Sequence, residues 1–323
     1  MKAAIKREQS DACICYAKRE QVRCETSKLK LETYILGICL LMGLLTTGCS
    51  QQRREVLPEG NAVYYWRTDW RLDTTERAFL KQHHINKVYC RYFDVVMNDS
   101  LGPMPNATIR FSENLPEGIE LIPTVFITED CMHQKPDGLA EKIVKRIIQM
   151  NETNDIMGVK EIQIDCDFTA KSRRYYYDFL SELANSSLFT SHFSLLSTTI
   201  RLHQLSMKVP PVDYGVLMLY NTGHPMKFME RNPILDIRDV APYLRYLEDY
   251  ELPMAAAYPI FLWHRIIQGV DIEHVATAEE IMRVKTAVEK ERPELKRLIL
   301  TYDLAKDNIN RYKPKTYEEI YSH

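Results

Sequence analysis

Residues 161–169, EIQIDCDFT, bring two aspartates one residue apart to the close of an apolar run. Successive side chains of a β-strand point to opposite faces, so Gln163, Asp165 and Asp167 share one face and Ile162, Ile164 and Cys166 share the other. The apolar face demands cover, and carboxylates are costly to bury unless they are paired, hydrogen-bonded or used. The stretch predicts a strand buried on both sides, ending in acids. Strands buried on both faces are the mark of a parallel sheet whose crossovers lie outside it.

The flanking sequence repeats the pattern. Strands are predicted at 62–67 (AVYYWR), 86–93 (NKVYCRYF), 119–128 (IELIPTVFIT), 160–167, 193–201 (FSLLSTTIR), 214–221 (YGVLMLYN), 253–263 (PMAAAYPIFLW) and 295–303 (LKRLILTYD). Helices are predicted between them at 73–84, 138–151, 172–185, 237–250 and 276–291. The first opens on Asp73 and Glu76 in capping-box spacing. A long connection rich in Pro and Asn follows the second strand. Eight strands, most followed by a helix, predict a single-domain α/β fold, a (β/α)8 barrel of the TIM type, over 62–323.

In such barrels sites gather at the C-terminal ends of the strands. Those ends carry Trp66, Arg91, Asp94, Asp165, Asp167, Arg201, Tyr220, Asn221, Trp263 and Asp303. Acids, arginines, an amide and flat aromatic rings in one mouth suit a polyhydroxylated ligand, whose hydroxyls take hydrogen bonds and whose CH faces stack on rings. Glycosidases also work with paired acids. Asp167 and Asp165 are therefore the candidate catalytic pair, and the other eight the candidate substrate-binding residues. Each also has a plainer role open to it. Asp165 can be an inward carboxylate held inside the barrel and Asp167 the cap of the next helix. Arg91 and Arg201 can serve to neutralise the acids, and Asp94 and Asp303 to shape turns. Trp66 and Trp263 can belong to the core.

IQIDCD resembles the D-x-D-x-E signature of chitinase-like glycosidase barrels. The resemblance implies a carbohydrate-active barrel, with one departure: Thr169 stands where that family carries its acidic glutamate. More widely, VYYWRTDW, CRYFDVV, IQIDCDFTAKSRRYY, TTIRLHQL and VLMLYNTG resemble a group of uncharacterised bacterial lipoproteins with glycosidase-like barrels. Two functions follow as expectations. One is glycoside hydrolysis with Asp167 as the acid or its partner. The other is glycan binding or assembly on a barrel that has lost the glutamate.

The N-terminal part carries a different signal. Residues 34–45, YILGICLLMGLL, are apolar over a length that suits a signal peptide and falls short of a membrane span. Lys28 and Lys30 precede the run. Thr46, Thr47, Gly48 and Cys49 follow it and resemble a lipoprotein lipobox, with Thr46 at the place usually held by an aliphatic residue. The expectation is a signal peptide within 1–48, lipidation at Cys49 and a polar tether over 49–61, giving an envelope protein held to the membrane by its lipid. Residues 1–33 fit a signal n-region poorly. Either translation starts near Leu29 or the segment is a cytosolic extension.

Composition excludes several classes. The whole chain has a net charge of −2, and loss of the eight basic and five acidic residues in 1–48 brings it to −5. An acidic domain without a basic stripe is a poor nucleic-acid binder. Past Cys49 only Cys90, Cys131 and Cys166 remain, an odd number that argues against a disulfide framework. Cys13 and Cys15 have no second pair, and Asp165, Asp167 and His203 lack HxxxH or HxxE spacing, so no metal is expected. With no GxGxxG, P-loop or GxSxG motif, no cofactor is expected either. The expected partner is a glycan, and the expected state is a monomer.

Overall fold

The structure, a computed structural model, describes residues 58–223, 231–267 and 270–322. The expected signal peptide, the lipidation site expected at Cys49 and most of the expected tether lie outside the described residues.

Eight parallel strands close on themselves. They are β1 (Gly60–Tyr65), β2 (Ile85–Asn98), β3 (Glu120–Ile127), β4 (Glu161–Asp165), β5 (Leu195–Ile200), β6 (Tyr214–Met218), β7 (Met254–Pro259) and β8 (Leu298–Tyr302). Each pairs with the next in chain order, and β8 pairs with β1, so the barrel has no open edge along these strands. The expected (β/α)8 barrel is the observed one. Around it run α1 (Thr74–Gln82), α2 (Leu139–Thr153), α3 (Arg173–Asn185), α4 (Ser187–His192), α5 (Ile237–Leu244), α6 (Ala278–Glu291), α7 (Lys306–Ile309) and α8 (Pro314–Ile320).

The elements form for local reasons that the packing then completes. At α1 the Glu76 N–H donates to the Asp73 carboxylate and the Asp73 N–H to that of Glu76, each at 2.9 Å, the predicted capping box. In α2, Ile143, Val144 and Ile147 lie three and four apart and bury one stripe against the barrel, as Phe179, Leu180 and Leu183 do in α3. Ile162 and Ile164 of β4 meet that layer. Gly215 in β6 is required by close approach. A Cβ there would stand 2.8 Å from Ile200 Cγ1 and 2.9 Å from Leu252 Cδ2.

The barrel interior is polar. Tyr64 of β1 donates to Gln163 of β4 at 2.9 Å, and the hydroxyls of Tyr89 in β2 and Tyr214 in β6 meet at 2.6 Å. Bonds between strands that are not neighbours can only cross the lumen. Glu161, Gln163 and Asp165 therefore point inward and form successive layers from floor to mouth, each buried.

Three sequence expectations change. Strand four ends at Asp165, and Asp167 lies just beyond it. The connection after strand two is no loop: β2 runs on to Asn98 and turns into an antiparallel ribbon with Gly102–Asn106. Pro103 and Pro105 sit on that ribbon's outer strand, where a missing N–H is tolerated. Strand seven ends at Pro259, and Trp263 belongs to a separate antiparallel hairpin of Leu262–Ile267 and Val270–Val275. At strand seven the apolar run continues past the barrel into the hairpin, which local pattern cannot tell from one longer strand.

Candidate functional site

Asp165 closes β4 facing the lumen, with 1% of its surface exposed. It accepts from the Thr199 hydroxyl of β5 at 2.5 Å and from Arg201 Nη2 at 3.2 Å. Burial pushes its pKa up, and the Arg201 guanidinium works against that shift. Asp167, two residues on, is open to solvent, and its carboxylate pairs with Arg201 Nε. Arg201 follows β5 and also reaches the Tyr220 hydroxyl through Nη1 at 3.3 Å. Burial opposes the charge of this guanidinium, but Asp165, Tyr220 and Asp167 more than restore it. Tyr220 is held by burial to a pKa of about 12. Two carboxylates, one guanidinium and one phenol thus form a single ion-paired group at the mouth.

A second group stands beside it. Arg91 Nε donates to Asp94 at 2.7 Å, both residues coming from β2, and Nη2 closes the other half of a two-point bridge. The Arg91 guanidinium lies 5.4 Å above the Trp66 ring. Aromatic rings join the groups: Trp66 to Tyr302 at 5.6 Å, Tyr302 stacked on Tyr220 at 4.5 Å, and Phe261 against Tyr220 and Trp263 at 5.8 and 6.1 Å. Asp303, at the end of β8, accepts from the Trp66 backbone N–H at 3.4 Å, and burial pushes its pKa up to about 6. Asn221 follows Tyr220 with φ +53°, a left-handed conformation that Asn adopts more readily than most residues. A cleft of about 390 Å³ opens here, lined by Asp167, Arg201, His203, Tyr220, Asn221 and Tyr243.

Of the ten sequence candidates, Asp167, Arg201, Tyr220 and Asn221 line this cleft; Asp165 is buried against Arg201, Trp66 and Trp263 belong to the ring series, Arg91 and Asp94 form the second pair, and Asp303 bonds the Trp66 backbone. The plainer roles divide. Arg201 neutralises the aspartate pair, whereas Arg91 serves Asp94 instead. Asp167 does not cap α3, whose N-cap is Ser172. Thr169, at the place of the family's glutamate, donates to Glu129 Oε1 at 2.6 Å, and the Ser172 hydroxyl donates to the same oxygen at 2.9 Å. Chiefly the Thr169 hydroxyl holds the Glu129 carboxyl below its usual pKa. Sequence reading missed Glu129, Thr199 and Tyr243. Glu129 was detectable as the first acid after the third strand. Thr199 and Tyr243 carry no signal short of the fold.

No protein-family model matches this sequence, and no curated protein does either. Solved structures match the fold. The spore cortex-lytic enzyme SleL from Bacillus megaterium QM B1551 superposes with a TM-score of 0.52 at 12% identity, over 82% of this chain and 74% of that one. A chitinase from Bacteroides thetaiotaomicron gives 0.54 at 10% identity over 82% and 97%. A chitinase from Chromobacterium violaceum gives 0.52 at 12% identity over 81% and 98%. At such identities the likeness is one of fold: the described residues form a (β/α)8 barrel like those of these proteins.

Proposed function

We propose that this protein is a carbohydrate-active barrel of the cell envelope, tethered through a lipid on Cys49 and binding a glycan at the barrel mouth as a monomer. One observation carries the reading: the ion-paired group of Asp165, Asp167 and Arg201 shares its rim with the ring series Trp66, Tyr302, Tyr220, Phe261 and Trp263. Hydrogen-bonding charges beside flat rings match the two kinds of surface a sugar presents. The neighbouring folds, two chitinases and a cortex-lytic enzyme, agree with a glycan ligand.

Between holding and cleaving, the geometry favours holding. A general acid needs a proton poised near the working pH. Arg201 engages both aspartates in ion pairs, and Glu129, the acid nearest Thr169, is held below its usual pKa. Hydrolysis is the second reading, with Asp167 and Asp165 in the catalytic roles. It draws on Asp303, a rim carboxyl whose pKa of about 6 suits a proton donor.

Calorimetric titration of defined oligosaccharides, together with release of reducing ends, separates the readings. Binding without turnover in the wild type, weakened by Asp167→Asn, supports the first. Turnover that falls by about 10²- to 10⁴-fold in Asp167→Asn supports the second. No affinity for any glycan overturns both. For the anchor, Cys49→Ala is expected to leave the membrane fraction or to accumulate as uncleaved precursor, and unchanged fractionation with an unchanged N-terminus overturns lipidation.

A further inference from the structure

A second groove lies on the outer wall, between the ribbon of β2 with Gly102–Asn106 and helix α2. Its volume is about 260 Å³, and its floor is apolar, from Phe93, Val95, Met104, Leu139 and Ile143. Lys142, Lys145 and Arg146 line the same groove, and no acid does. Their spacing of three and one places them on one face of α2. Lys142 and Lys145 are exposed and form no ion pair among the described residues. Arg146 is fixed, with its guanidinium 5.1 Å from the Phe93 ring and Nη2 donating to Thr108 at 2.8 Å, while its Nε is buried without a partner.

The turn of the ribbon adds an independent feature. Leu101 precedes the strand that forms one wall of the groove, and its side chain is 74% exposed. With Met157 it is one of two exposed large apolar side chains among the described residues. In a chain of net charge −2, a local set of three cations beside an apolar floor and a protruding leucine is a deviation that calls for an occupant. That occupant brings negative charge and apolar bulk. It does not bring a pairing backbone: Pro103 and Pro105 have no N–H to offer, so the outer edge of the ribbon is poorly made for an added strand.

We propose that this groove docks on the surface of an anionic lipid bilayer. Leu101 enters the acyl region, an acyl chain lies along the floor, and Lys142, Lys145 and Arg146 face the headgroup phosphates. Buried apolar area and cation attraction to anionic lipid are the two terms that drive such interfacial binding. The contact is separate from the lipid anchor at Cys49 and from the barrel mouth, and it sets which wall of the barrel meets the membrane.

The test is amide hydrogen exchange on the full chain bound to vesicles, phosphatidylglycerol-rich in one arm and phosphatidylcholine in the other. Any membrane attachment through the N-terminal segment then contributes to both arms. Exchange is expected to slow over residues 96–106 and 139–149 on the anionic vesicles alone, and to recover at high salt. Each lysine near an anionic surface is worth about 1 kcal/mol, so Lys142→Gln with Lys145→Gln is expected to weaken the protection about 30-fold. Leu101→Ser is expected to weaken it as well, and both variants replace exposed residues. Equal protection on both vesicle types, or full protection retained in the double glutamine variant, overturns the proposal. Protection by an acidic, leucine-containing peptide with none by vesicles overturns it too, and assigns the groove to a protein partner.

Discussion

Strand β4 buries one carboxylate at each end of the barrel, and the two ends treat it differently. At the mouth Asp165 meets a cation, Arg201, at 3.2 Å. At the floor Glu161 meets only hydroxyls: Ser197 donates to its Oε1 at 2.5 Å, Tyr214 donates to the same atom, and Oε2 is buried without a partner. Burial drives the pKa of both upward, and at Glu161 it reaches about 7. Equal depth in one strand thus gives a carboxyl paired with Arg201 at one end and a group near its titration point at the other. Burial is the larger influence on both acids, and at Asp165 the Arg201 guanidinium works against it.

The sharpest break of this comparison is Arg201→Met. It strips the mouth of its cation and leaves Asp165 as lonely as Glu161, with Asp167 released. Removing one partner of a buried pair costs about 3–5 kcal/mol, to be read as a drop in the denaturant midpoint at pH 7. A loss under about 1 kcal/mol would mean that the mouth does not depend on its ion pairs.

The floor answers to pH. With a folded pKa of about 7 and a usual value of 4.5, Glu161 keeps its proton in the folded state over a range where the unfolded chain has lost it. Stability therefore falls as pH rises from 4.5 to about 7 and levels off above. The loss is on the order of 3 kcal/mol. Glu161→Gln is expected to remove that slope while preserving shape, seen as a difference between wild-type and variant unfolding curves across the window. Matching slopes would place the titration elsewhere.

A smaller effect is expected for Tyr214→Phe, which takes one donor from Glu161 and the partner from the Tyr89 hydroxyl. About 1–3 kcal/mol is expected, with the pH-dependent region moving upward because the lost hydroxyl bond favoured the anion. The smallest effect on stability belongs to Asp167→Asn. Its carboxylate is 55% exposed, and pairs of that kind contribute about 0–1 kcal/mol. A nearly unchanged melting curve with altered glycan affinity would set Asp167 apart as a ligand-facing acid. A large stability loss would move it into the same class as Asp165.

The eight strands and the main helices were legible because their signals are local. Alternation marked the strands, and Ile143, Val144 and Ile147 marked the buried stripe of α2. The strand-end rule then collects Trp66, Arg91, Asp165, Arg201 and Asp303 from the sequence. The rule lists rim residues but does not pair them. Arg91 and Arg201 both stand at strand ends in the sequence, yet one serves Asp94 three residues away and the other serves Asp167, 34 positions earlier in the chain. Likewise, nothing around Thr169 announces that its hydroxyl binds Glu129, 40 residues upstream.

Periodicity, length and the acids after IQI were enough to specify a closed parallel barrel and the end of it at which Asp165 and Asp167 stand, because side-chain alternation and crossover geometry act over a few residues at a time. The ionisation of those acids was decided by closure. Only when β4, β5 and β6 stand side by side do Asp165, Arg201 and Tyr220 meet, while Glu161 takes its hydrogen bonds from the hydroxyls of Ser197 and Tyr214. Charge in a protein interior depends on partners drawn from distant segments, and those partners exist only in three dimensions.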